Sequence, residues 1–204
     1  LVGLGPVVRR DLVGGLRGAL ELLLGQCVGE HLGGGADRGD PSFDGVEVDA
    51  DAVIGEVDAG RDPLSRLLRA GRTGAAAEML GVGGGAMDMT VNYLKERKQF
   101  GVLIGSFQAL SHRIADLATE IECTKLLVYS VAQKADDNPT TLLPREASMA
   151  KLKATETSKR MTIDAMQMMG GYGYATEFDA ERLMRGAIIS TVYGGTNEIQ
   201  RDII

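Results

Sequence analysis

Apolar side chains recur at alternating steps of three and four through most of this chain. The clearest stripe is Phe107, Leu110, Ile114, Leu117, Ile121, Thr124, Val128 and Val131. That spacing gives a helix one apolar face. His112, Arg113, Asp116, Glu120 and Lys134 fall on its other faces. An earlier stripe runs through Leu64, Leu67, Leu68, Gly71, Ala75, Met79, Val82, Ala86, Met87 or Met89, and Tyr93. It predicts a long first helix, with Pro63 in its first turn and Phe100-Gly101 ending it. Gly81, Gly83, Gly84 and Gly85 sit in its middle, an expected weakening of roughly a few kcal/mol in sum. Asp136-Asp137-Asn138-Pro139 reads as a turn. Pro144 then opens a third helix, with Ala147, Ala150, Ala154, Thr157 and Met161 on one stripe small enough for close helix approach. Gly170-Gly171 stops it, and a shorter helix is predicted over residues 178–189. Long helices joined by short turns pack as antiparallel neighbours. The predicted fold class is therefore mainly α, a four-helix bundle with a short β segment before it.

The first 60 residues differ. In residues 1–40, glycines interrupt every run, so Leu12, Leu16, Leu20 and Leu23 predict at most a marginal helix. From Phe43 to Gly55, Val46 and Val48 alternate with Glu47 and Asp49, the period of a half-buried strand. No internal repeat is evident.

Composition narrows this picture. Of 204 residues 44% are hydrophobic but only 4% aromatic, with nine Met and no Trp, so the core must be aliphatic and Met-rich. A net charge of −6 argues against a general nucleic-acid surface, which needs clustered Lys and Arg. No apolar run approaches the ~20 residues of a membrane span, and no signal peptide is recognisable. Cys27 and Cys123 are isolated, which is no disulfide framework and suggests a reducing, cytoplasmic setting. The chain opens on Leu1 rather than Met, as a partial chain would.

Several possible chemistries drop out. Cys27 and His31 have the spacing of a helical metal pair, but zinc sites normally need three or four ligands and no other Cys or His cluster supplies them. Gly3-x-Gly5 and Gly171-x-Gly173 are incomplete pieces of a dinucleotide fingerprint. No Gly-x-Ser-x-Gly elbow supports a nucleophilic triad. Three helix stops remain: Arg97-Lys98-Gln99-Phe100-Gly101, Gln167 to Tyr174, and Tyr193-Gly194-Gly195-Thr196-Asn197-Glu198. In the last, Thr196 or Asn197 can cap a helix whose free N–H groups would attract an anion.

In this order and spacing, these segments resemble the C-terminal domain of the acyl-CoA dehydrogenase family. The matching stretches are Glu96 to Gly101, Phe107 to Leu110 with Arg113 to Asp116, Gln167 to Tyr174, Arg182 to Arg185, and Tyr193 to Arg201. Phe43 to Gly55 resembles the last strand of that family's middle β-domain and its exit loop. The resemblance implies three regions: an unassigned Gly-rich segment (1–40), a β-domain remnant (41–60) and a C-terminal bundle (61–204). It implies FAD held between two subunits of a homotetramer built as a dimer of dimers. Arg97 and Phe100 would approach the cofactor from the neighbouring subunit. Gln108 and the turn Gln167, Met168, Met169, Gly170 and Gly171 would hold its adenosine diphosphate half. Thr196, Asn197 and Glu198 would meet the FAD of their own subunit, and Arg72 and Gly195 the acyl-CoA substrate. The implied reaction is α,β-dehydrogenation of an acyl-CoA thioester to a trans-2-enoyl-CoA, with electrons passing to an electron-transfer flavoprotein.

The chain departs from the family in one chemical respect. Abstracting the α-proton needs a general base within reach of that carbon. The family places a Glu either between the Tyr and Gly of the last loop or just before an Arg on the first bundle helix. Here those positions are Gly194 and Gly71. Glu78, two turns beyond Gly71 on a similar face, and Glu198 are the replacement candidates. A second expectation is a non-catalytic subunit that provides oligomer contacts and a cofactor half-site to another dehydrogenase subunit, and a third is a chain that has lost activity or is incomplete. The family's N-terminal helical domain and most of its β-domain have no counterpart here.

Overall fold

The protein is described by a computed structural model over residues 59–204. The strand expected over 43–54, the marginal helix around Leu12, and Cys27 with His31 lie outside the described residues. Six α-helices carry the described chain. They are α1 (Arg61–Glu96), α2 (Gln108–Asp137), α3 (Pro144–Met169), the single turn α4 (Gly171–Tyr174), α5 (Asp179–Ile189) and α6 (Asn197–Ile203). Arg72–Ile204 form one compact unit, and the packing below concerns that unit.

The predicted stripes are where the core forms. Ala76 and Met79 of α1, Val128 and Val131 of α2, and Ala150 and Ala154 of α3 bury together. A second cluster joins Ala86 and Leu94 of α1, Leu117 of α2, and Met161, Ala165 and Met168 of α3. The core is aliphatic and Met-rich, as the composition demands. Helix α1 runs unbroken through the four glycines at 81 and 83–85, because burial of Ala76, Met79, Ala86 and Leu94 outweighs their low helix propensity.

Helix α3 is the hub, packed against α2, α4, α5 and α6. Being covered on more than one side, it buries a second stripe beside its alanines: Ser148, Lys151, Thr155, Ser158 and Thr162. Its C-cap, Gly170, has φ +62°. The chain then turns so tightly that a Cβ on Gly173 would lie 2.6 Å from the Met166 carbonyl oxygen.

Between α1 and α2 the structure adds an element that helix periodicity did not predict. β1 (Lys98–Gln99) and β2 (Val102–Leu103) pair antiparallel, Lys98 opposite Leu103 and Gln99 opposite Val102. Phe100 and Gly101 turn the hairpin with φ of +55° and +82°, the signs a tight two-residue hairpin turn requires. The first helix thus ends at Glu96, before Phe100-Gly101.

Candidate functional site

The terminal loop is built from two glycines in the left-handed region. Gly194 has φ +68° and Gly195 φ +90°, conformations in which other residues are strained. Thr196 caps α6, its hydroxyl accepting from the Ile199 N–H at 3.4 Å. The other N–H groups of that first turn also have partners inside the chain. Asn197 donates to the Thr191 carbonyl at 3.0 Å, and Gln200 to the Thr196 carbonyl at 3.0 Å. The Glu198 N–H bonds its own carboxylate. The helix start expected to offer free N–H groups to an anion therefore spends them internally.

Beneath the loop lies Lys151, fully buried on α3. Its Nζ donates to the Gly195 carbonyl and to Asn197 Oδ1, each at 3.0 Å. Thr155, one turn further along, has its hydroxyl 3.2 Å from the same Oδ1. Gln200 Nε2 donates to the carbonyls of Gly194 at 3.2 Å and Gly195 at 2.9 Å. Arg201 of α6 also pairs with Glu156 of α3. Burial pushes the Lys151 ammonium down to about 8, helped by the Arg72 charge and opposed by Glu198.

Arg72 of α1 is thus an electrostatic neighbour of Lys151. Burial lowers its guanidinium pKa, and its buried Nε has no hydrogen-bond partner among the described residues. Two cations drawn out of water favour an anionic or strongly dipolar ligand beside them.

A second constellation sits at the far end of α3. Tyr93, Arg97, Gln99, Ile104, Met168, Gly171, Tyr172 and Ala175 line an open cavity of about 470 Å³. The Arg97 guanidinium lies 5.1 Å from the centre of the Tyr172 ring, within cation–π range. Tyr172 also stands edge-on to Phe178, with centroids 5.3 Å apart. From Lys151 to Met168 the helix rises about 25 Å, at ~1.5 Å per residue, so the two constellations are well separated.

The residues expected from sequence divide between them. Arg97, Met168 and Gly171 line the cavity; Met168 and Met169 are otherwise core side chains. Gly170 caps α3 beside them, and Gln167 and Gln108 are exposed. Phe100, 93% exposed, projects from the hairpin tip. Arg72, Gly195, Asn197 and Glu198 belong to the loop constellation. Asn197 faces inward to Lys151, while Thr196 is part-buried and Glu198 exposed. The two candidate bases differ. Glu78 is exposed on α1, where its neighbours desolvate the carboxyl enough to raise it above its ordinary value. Hydrogen bonds from its own backbone N–H and from Thr196 hold Glu198 below it.

Sequence reasoning passed over Lys151, Thr155 and Gln200, and over Tyr93 and Tyr172. One signal was available. Ser148, Lys151, Thr155, Ser158 and Thr162 repeat at steps of three and four beside the alanine stripe, and a polar stripe there marks a helix buried on a second side.

Comparison with known proteins gives the family of the bundle. The family described as acyl-CoA dehydrogenase, C-terminal domain, matches residues 58–204. The caffeyl-CoA reductase–Etf complex subunit CarC of Acetobacterium woodii is 40% identical over 177 residues, covering 86% of this chain and 46% of the relative. The mitochondrial short/branched chain specific acyl-CoA dehydrogenase of Bos taurus is 39% identical over 163 residues, covering 80% and 37%. The structure of butyryl-CoA dehydrogenase from Megasphaera elsdenii superposes with a TM-score of 0.64 at 38% identity, covering 69% of this chain and 37% of that one. The chain spans less than half the length of these relatives. The match to the family over the whole described bundle shows that this chain belongs to the acyl-CoA dehydrogenases, an oxidoreductase family with dehydrogenase and reductase members, and carries their C-terminal helical domain.

Proposed function

We propose that this chain is the C-terminal part of a FAD-dependent acyl-CoA dehydrogenase that forms a trans-2-enoyl-CoA from a saturated acyl-CoA. The observation that carries the reading is the cavity in which Arg97 lies over Tyr172 beside Gly171. These residues fit a dinucleotide cofactor. A planar guanidinium suits phosphate oxygens, a tyrosine face suits a flat base, and a glycine turn lets a backbone approach closely. Arg97, Phe100, Gln108 and the turn Gln167 to Gly171 would hold one half of FAD. Thr196 and Glu198 would meet the other half, over the inner anchor Asn197. The separation of the two constellations along α3 supports a cofactor shared between two copies in a homodimer or homotetramer. When bound, FAD accepts the β-hydride. Arg72 and Gly195 would orient the thioester. Glu78 is the better candidate for taking the α-proton, since a base is most effective with a pKa raised toward working pH. Electrons would leave to an electron-transfer flavoprotein, in keeping with the Acetobacterium relative's being a subunit of a caffeyl-CoA reductase–Etf complex.

A second reading is favoured by Gly71 and Gly194, which put no carboxylate at either family position of the base. On it, the chain is a non-catalytic oligomerisation and half-site subunit. Co-expression with dehydrogenase subunits, followed by flavin absorbance and acyl-CoA oxidation, separates the two. The first reading expects bound FAD and a loss of activity of at least 100-fold in Glu78→Gln. Activity that needs the partner and survives both Glu78→Gln and Glu198→Gln supports the second. Protein that holds no flavin alone or with any partner sinks both.

A further inference from the structure

Lys151 is the largest side chain fully buried among the described residues. An ammonium there is costly, and Met or Leu would fill the same space on α3 more cheaply. What the charge adds is direction. Lys151 and Gln200 draw the Gly194 and Gly195 carbonyls inward from two helices. In a trans peptide the C=O and the following N–H point opposite ways, and no peptide here is cis. The N–H groups of Gly195 and Thr196 are thereby turned to the opposite side, toward whatever the loop contacts. Two successive positive-φ glycines have little intrinsic preference for this arrangement, so it must be imposed by tertiary bonds. Asn197 Oδ1, accepting from the same ammonium, ties the start of α6 to the same point.

We propose that Lys151 is a positioning residue. Its buried ammonium sets the conformation of the terminal loop, and so the face that Gly195 and Thr196 present to ligand. The ligand part rests on the reading above of the loop as a flavin and thioester contact; the loop-ordering part does not.

The test compares the full chain, co-expressed with any partner it needs, with Lys151→Met and Lys151→Gln. Hydrogen exchange of the Asn197, Ile199 and Gln200 amides and FAD affinity by flavin fluorescence are both measured. Lys151→Met should keep its helical circular dichroism and the protection of α1 to α3. Its loop amides should exchange at least 10-fold faster and FAD should bind at least 10-fold more weakly. Lys151→Gln, which retains a donor, should fall between. Unchanged loop exchange in a folded variant overturns the proposal. So does global unfolding of both variants, which would make Lys151 a residue of the whole bundle rather than of the loop. A loosened loop with unchanged FAD affinity upholds the positioning role and counts instead against the loop as a flavin contact.

Discussion

Gly194 and Gly195 are neighbours with the same sign of φ but different surroundings. A Cβ on Gly194 would meet nothing within 4 Å, whereas one on Gly195 would lie 2.7 Å from Gln200 Nε2. Gly194→Ala therefore carries only the left-handed strain, about 1–2 kcal/mol. Gly195→Ala carries the strain and also displaces the amide that holds both loop carbonyls. Chemical denaturation of the two variants should rank Gly195→Ala as clearly the more destabilised, and equal costs would contradict this account of the loop. The same comparison bears on catalysis. Gly194 has room for a side chain, so a carboxylate there would meet left-handed backbone strain but no steric barrier.

At the level of elements, α1 is the instructive case. Gly81, Gly84 and Gly85 have open space where a Cβ would go, and α1 is helical at all three. Alanine at each should stabilise the chain by up to about 1 kcal/mol, additively within the error of a denaturant midpoint. No gain from the triple variant would mean that these positions face a partner in the assembly. The end of α2 and both ends of α3 were legible in the sequence because the Asp137-Asn138-Pro139 turn, Pro144 and Gly170 act on the backbone locally. The persistence of α1 through its glycines was not, since it depends on what Ala76 to Leu94 pack against. Nor was the hairpin at 98–103, whose strands are two residues each and too short to show a period. The cavity around Arg97 was half legible. Arg97, Met168 and Gly171 stood in recognisable segments, but their juxtaposition with Tyr93 and Tyr172 needs α1 and α3 to pack side by side.

Across the whole molecule, charges from three helices meet around Lys151, with Arg72 of α1 lowering its pKa and Glu198 of α6 raising it. This makes stability depend on pH in a defined sense. The folded pKa, about 8, lies below the ordinary 10.5. Below about pH 8 folded and unfolded chains both hold the proton. Between about 8 and 10.5 the unfolded chain binds more protons, so stability rises with pH. The stability of the wild type relative to Lys151→Met should be flat up to about pH 8 and climb toward pH 10. A flat or falling difference, measured by denaturation at each pH, would show that Lys151 is not a buried cation in solution.

The motifs of the sequence carried the resemblance to the family, and by itself the sequence determined the helical class, the three long helices and the stops of the second and third. Those are properties of local spacing, and periodicity and backbone chemistry act over a few residues. Only the tertiary structure decided how the terminal loop is held. Lys151 and Gly195 are 44 residues apart, and nothing in the neighbourhood of either reveals the other. Whether a buried ammonium finds its acceptors depends on which helices close around it. The loop's glycines permit many shapes, and the partners that select one arrive from α3 and α6 only when the bundle is assembled.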